Sequence, residues 1–313
     1  MAIDYRLRVV WLLWLLLGTR VLGQSEQGRM DKSEPPPPSF VSIDYSRKQV
    51  LVEAQIDNGR GATLKGIFLL DTGAQVSRLN AQVVSELKLK VVGRSKATTA
   101  GGTREFNTVK VPSLRLGDIE MRGLEVMDVA SSGLDSWWIE KGVIGTLGAD
   151  FLNGKILTID FGNWRLFLAV RPLSMPGYRR ILEEPIKVAN GLAFVTCRLP
   201  NTKECVLLVD TGSGEGVVFG KDMARFVPLE NVTRSTYFHT ETGTTPVRFG
   251  SIPWIVIGKT LKLSPAVVGL CGSKLTSPLG TKFGVGLLGN ELMEKYVLEI
   301  DYRRRILSFL QKE

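Results

Sequence analysis

Three blocks of this sequence occur twice, in the same order and at nearly the same spacing. Ile67-Phe68-Leu69-Leu70-Asp71-Thr72-Gly73-Ala74 returns as Val206-Leu207-Leu208-Val209-Asp210-Thr211-Gly212-Ser213, which sets Asp71 and Asp210 139 residues apart. Gly145-Thr146-Leu147-Gly148 returns as Gly286-Leu287-Leu288-Gly289, and Ile156-Leu157-Thr158-Ile159-Asp160-Phe161 as Val297-Leu298-Glu299-Ile300-Asp301-Tyr302, both at an offset of 141. Chance matches of short motifs do not keep order and spacing together. Each half of the chain is therefore one copy of a single structural unit, and any fold must accommodate two similar halves.

The pattern inside each copy is that of strands. Val50, Val52, Ala54 and Ile56 alternate with residues for the opposite face. Many short apolar runs end in Gly, Asn, Asp or Pro, and helix-period segments are few, which points to an all-β chain with few short helices. With 313 residues, 44% of them apolar, there is enough material for two modest cores. The expected division is a signal peptide over 1–23, a disordered proline-rich lead-in over 24–40, a first lobe over 41–172 and a second over 173–313.

Arg6 and Arg8 precede the apolar run from Val9 to Leu17, and Val21-Leu22-Gly23 follows. Charged, apolar and small-residue regions in that order read as an export signal, too short to span a bilayer comfortably. The expected location is periplasmic or secreted, with membrane association only if this segment is retained as an anchor. The cysteine count, three, is odd. Cys197 and Cys205 flank a turn around Pro200-Asn201 and can face each other across a hairpin; Cys271 can instead claim one of them.

In both copies the apolar run ends in Asp-Thr-Gly. An apolar strand running into such a tripeptide places a carboxylate at the end of a buried strand. The glycine allows a tight turn that brings backbone amides close to that carboxylate. One such tripeptide is an ordinary strand-to-turn junction. Two, at matching places in a duplicated unit, form a constellation.

These residues resemble the aspartic peptidase superfamily. Gly145-Thr146-Leu147-Gly148 and Gly286-Leu287-Leu288-Gly289 are similar to its hydrophobic-hydrophobic-Gly element, which packs beside the catalytic loop, and the Asp160 and Asp301 hairpins to its closing strands. The spacing is nearer to retropepsin units than to pepsin lobes. The resemblance implies a bilobal acid-protease fold: two retropepsin-like β-barrel lobes related by a pseudo-two-fold, fused in one chain and paired within a monomer. It implies that Asp71 and Asp210 are catalytic, share one proton and activate a water toward a peptide carbonyl. Thr72 and Thr211 are implied to bond across the interface, and Gly73 and Gly212 to present amides to the carboxylates. Ser213 is expected to donate to Asp210 where Ala74 offers Asp71 nothing, which would make Asp210 the ionised partner. Hairpin flaps are implied around Gly101 and Gly102 in the first lobe and Thr242 and Gly243 in the second.

The partner implied is a protein or peptide substrate, with no cofactor and no metal. His239 is the one histidine, so a multi-His zinc site cannot form and a Ser-His-Asp machine has no second candidate. The net charge of +9 is scattered, and its tightest run, Arg303-Arg304-Arg305, falls at an expected hairpin turn. No nucleic-acid motif accompanies it. Trp137-Trp138 reads as a core plug or a pocket wall, and Asn231-Val232-Thr233 fits a glycosylation sequon. The rival to the enzyme is a peptide-binding or structural envelope module on the same scaffold, because fold does not fix function. The loops diverge after the aspartates, Ala74-Gln75-Val76-Ser77 against Ser213-Gly214-Glu215-Gly216.

Overall fold

Six short strands, three from each half of the chain, lie side by side in one sheet. Their order is Tyr178–Pro185, Ile306–Lys312, Val297–Asp301, Ile156–Asp160, Arg165–Ala169, Val41–Ser46. The structure, a computed structural model, describes residues 39–99, 102–129, 139–200, 204–240, 243–275, 277–279 and 284–313. The described part is mostly strand, with three short α-helices at Ala81–Glu86, Ala149–Leu152 and Asn290–Met293 and a 3-10 turn at Lys221–Met223. Among the described residues no helix is long and apolar enough to cross a membrane.

The two middle strands are copies of each other. Ile156–Asp160 and Val297–Asp301 are buried at every position, so both faces are covered and the segments read as unbroken apolar-rich runs. They pair antiparallel with Ile156 opposite Asp301, Thr158 opposite Glu299 and Asp160 opposite Val297. Exchanging each residue for its repeat counterpart leaves this register unchanged. Leu157, Ile159, Leu298 and Ile300 are fully buried here, and each such side chain contributes roughly 1.5–3 kcal/mol. The charge in the middle is compensated: Glu299 meets Arg180 at 2.9 Å, and Arg180 also donates to Ser308 at 2.7 Å.

Each half builds the same strand pattern around its aspartate. In the first, Thr63–Leu70 pairs antiparallel with Gln49–Asp57 and parallel with Val143–Leu147. The latter is antiparallel to Arg78–Asn80, which runs parallel to Ile119–Val129. In the second, Glu204–Val209 pairs antiparallel with Leu192–Arg198 and parallel with Gly284–Leu288, and Val217–Phe219 joins Gly284–Leu288 and Ala266–Cys271 in the same senses. The strand ahead of each aspartate is parallel to its neighbour, so it is buried on both faces, and this explains the apolar runs before Asp71 and Asp210.

One core cluster runs through both halves, from Val50, Phe68 and Leu79 to Val195, Phe219 and Phe309. Residues 37–313 accordingly form one compact unit. Among the described residues the first strand is Val41–Ser46. Cys197 and Cys205 are cross-strand partners and form a disulfide, which leaves Cys271 a buried free thiol. Arg303 and Arg304 lie in the expected turn, where their amides donate to Asp301. The segments 1–38 and Trp137-Trp138 lie outside the described residues.

Candidate active site

Each aspartate stands where a buried strand breaks off into a turn. The Asp71 amide donates to Leu147 O at 3.0 Å and the Asp210 amide to Leu288 O at 2.9 Å, so each aspartate is held by the hydrophobic-hydrophobic-Gly block of its own half. Beyond that contact Ala149 N donates to Ala74 O and Asn290 N to Ser213 O, both at 2.8 Å. Gly148 and Gly289 allow this closeness. A Cβ on Gly148 would stand 2.8 Å from Ala74 O, and one on Gly289 would stand 2.3 Å from Glu215 O.

The two turns interlock through their threonines. Thr72 N donates to Thr211 Oγ1 and Thr211 N to Thr72 Oγ1, both at 3.0 Å; Thr72 Oγ1 donates to Val209 O and Thr211 Oγ1 to Leu70 O, both at 2.7 Å. Both threonines are fully buried. Every donor and acceptor in this four-bond ring is matched across the two halves, as a buried polar network must be to hold rather than weaken a core.

The ring brings the carboxyl groups together. The Asp71 carboxyl lies near enough to Asp210 to act directly on its ionisation. A Cβ added to Gly73 would lie 2.5 Å from Asp210 Cγ, and one added to Gly212 would lie 2.5 Å from Asp71 Cγ. Each glycine therefore clears room for the other half's carboxyl. Gly73→Ala or Gly212→Ala should push the pair apart and lower any hydrolytic rate at least about a hundredfold, since small misplacements of reacting groups cost that much. Circular dichroism should show the strands intact; an alanine variant of undiminished activity would show that the spacing is not needed.

The carboxyls keep some accessible surface, yet dense packing takes away most of their water. Burial, and next the charge of Asp71, push the Asp210 carboxyl well above its ordinary range, although the amides of Gly212 and Ser213 pull the other way. Asp71 Oδ1 accepts from Gly73 N and Ala74 N, both at 2.9 Å; Asp210 Oδ1 accepts from Gly212 N at 3.0 Å. A carboxyl raised in this way keeps its proton to higher pH than an ordinary aspartate. The Ser213 hydroxyl makes no hydrogen bond among the described residues, to Asp210 or to anything else. Ala74, expected to give Asp71 nothing, supplies its backbone amide.

Both expected flap regions are hairpins. Lys90–Thr99 pairs with Gly102–Leu116, with Thr99 opposite Gly102, and Glu230–Thr240 pairs with Gly243–Ile252, with Thr240 opposite Gly243. Gly102 has φ 134°, a backbone state that favours glycine. Gly101 and Thr242 lie outside the described residues.

Residues 52–151 match the family model described as aspartyl protease. This stretch of the chain is similar to that family. No curated protein matches the chain. The match contains the first aspartate and its hydrophobic-hydrophobic-Gly block; the second half is tied to the first by its repeats.

Several residues that support this site were not singled out from sequence. Ser77 donates to Asp150 at 2.6 Å and accepts from Gly148 N at 2.9 Å, bracing the first loop. Burial raises the Asp150 carboxyl, opposed by its bonds from Ser77. The second half has Gly216 and Glu291 at these places and uses another brace: Asn290 Nδ2 donates to Thr211 O at 2.8 Å and to Lys48 O at 2.7 Å. Lys48 in turn reaches Glu291 at 3.0 Å. Lys48 belongs to the first half, so the turn at Arg47 and Lys48, both at positive φ, docks the first half onto the second aspartate's loop. Tyr302 lies close enough that the Asp71 charge, after burial, raises its phenol. Aligning the repeats marks Asp150 and Asn290 as divergent positions beside the glycines, the one sequence signal that could have flagged them.

Proposed function

We propose that the protein is an aspartic endopeptidase that hydrolyses peptide bonds with a water activated between Asp71 and Asp210. The observation that carries this reading is the matched pair of turns: two carboxyls, each packed against the other half's glycine and locked by a ring of four buried threonine bonds. Active-site carboxylate pairs are costly to bury together, and such costs concentrate at functional sites.

The chemistry follows from the two protonation states. Asp71, ionised, takes a proton from the water as its oxygen attacks the peptide carbonyl carbon. Asp210, protonated, gives its proton to the carbonyl oxygen, so the intermediate is a neutral gem-diol and no charge is stranded in the cleft. Asp71 then passes the captured proton to the amide nitrogen, the C–N bond breaks, and the gem-diol returns a proton to Asp210 as the new carboxyl group forms. No metal or organic cofactor enters these steps. Activity requires Asp71 charged and Asp210 neutral, so the rate should fall on the acid side as Asp71 gains a proton and on the basic side as Asp210 loses one.

The N-terminal run of Arg6, Arg8 and Val9 to Leu17 supports an exported enzyme, and a Cys197–Cys205 disulfide fits an oxidising compartment. The two halves act as lobes over 41–172 and 173–313, with the hairpins at Gly102 and Gly243 closing over a bound peptide.

The test is incubation of the purified protein with a peptide library from acid to neutral pH, with and without pepstatin. Pepstatin-sensitive cleavage is expected. Tight peptide binding without turnover would replace the enzyme with a peptide-binding module.

A further inference from the structure

We infer that the cleft takes its peptide in one direction, with an acidic side chain held on the side of the second half and an apolar one on the side of the first. This rests on the peptidase reading above and adds the substrate class.

Val76 and Glu215 occupy the same place in the repeat, each five residues past its aspartate. Their surroundings are opposite. Val76, like Ala97 of the first hairpin, packs against the apolar cluster of Phe106, Met127 and Val129. Glu215 instead meets Arg234 of the second hairpin through both carboxylate oxygens: Nη1 stands 3.4 Å from Oε1, and Nη2 contacts Oε2. The Arg234 guanidinium also lies 4.2 Å from the ring of Phe249, its cross-strand partner. In the first hairpin the corresponding pair is Gly93 opposite Thr108, and the space beside Gly93 is open. The first half therefore has neither the cation nor its platform.

The pair is neutral in sum but not in what it presents. The Glu215 side chain is 19% exposed and the Arg234 side chain 49%. Arg234 has five N–H donors in a planar fork, and about half of its side chain is open to solvent. A peptide stretched over both aspartates must cross both loops. On one side it meets an apolar wall, on the other a guanidinium that offers charge-assisted hydrogen bonds to a carboxylate and repels an ammonium. The chain's net charge of +9 favours approach of acidic peptides in the same sense. Two equal halves would accept either direction; this difference selects one.

The experiment uses matched peptides with Glu, Gln or Lys at successive positions on each flank of the cleaved bond. Wild type should favour Glu over Lys by about tenfold in kcat/KM on one flank only, the worth of one contact of this kind. Raised ionic strength should shrink that preference. Arg234→Gln should erase it mainly through KM, and the exchange E215R with R234E should reverse it toward Lys. Equal turnover of Glu and Lys peptides by wild type, or a preference untouched in Arg234→Gln, overturns the inference and leaves the peptidase standing. If no peptide is cut, anisotropy with the same labelled peptides decides. Acid-selective binding keeps the charged station and removes the peptidase; unselective or absent binding removes both.

Discussion

Asp71→Asn and Asp210→Asn should each lower peptide cleavage by about a thousandfold or more, because each removes one partner of a coupled acid–base pair. The two variants should differ in stability. An asparagine at 210 keeps an oxygen to accept from Gly212 N and offers an N–H toward Asp71, so it copies the protonated Asp210. A carboxyl whose pKa is raised on folding binds more protons folded than unfolded. Stability is then lost as pH rises from the ordinary carboxylate range through the raised value. Asp210→Asn escapes that loss. Its Tm should exceed the wild-type Tm at pH 7 and converge with it at about pH 3, below the ordinary aspartate range. Asp71→Asn discards a charged acceptor of two amides and should gain less or nothing. Thermal scans at the two pH values test this; a lower Tm for Asp210→Asn at pH 7 would assign the proton to Asp71.

The threonine ring carries the second large effect. Thr72→Val keeps the shape but strands two buried groups, the Val209 carbonyl and the Thr211 amide. Each orphan costs about 1–3 kcal/mol, so urea unfolding should show a loss of roughly 2–5 kcal/mol. Thr211→Val strands Leu70 O and Thr72 N and should cost nearly the same, since its bonds are the counterparts of the first set. Thr72→Ser, which keeps the hydroxyl, should recover most of the stability. The rate should fall along with stability, because the ring sets the carboxyl spacing. A loss below about 0.5 kcal/mol, within the range of an unremarkable surface change, would mean that the ring does not hold the turns together.

Much of this site is legible from the repeats. A strand buried on both faces must be apolar throughout, so the runs before Asp71 and Asp210 betray the parallel pairing, and the doubled Asp-Thr-Gly marks two turns of one kind. Gly148 and Gly289 are legible for a related reason: a carbonyl of the aspartate's loop sits where their side chains would be. The ionisation of the pair was not legible. It depends on which backbone amides point at which carboxyl and on how much water each retains, and Ser213 misled because a hydroxyl in the right place can still turn away. The braces from Asp150 and Asn290 join residues 73 to 242 positions apart, a relation that no local pattern records. Arg234 with Glu215 illustrates the same limit. Either residue alone reads as a surface charge, and only the hairpin's return to the loop makes them a pair.

The central claim, one proton held jointly by two carboxyls, is tested most directly by a carbon-detected NMR titration of protein labelled at the aspartate side-chain carbons, with the Asp71→Asn and Asp210→Asn variants for assignment. The account predicts that the Asp210 resonance stays at its protonated position well above pH 4, the ordinary aspartate region, while Asp71 is already charged. Two resonances that both titrate near pH 4, independently of each other, would contradict it.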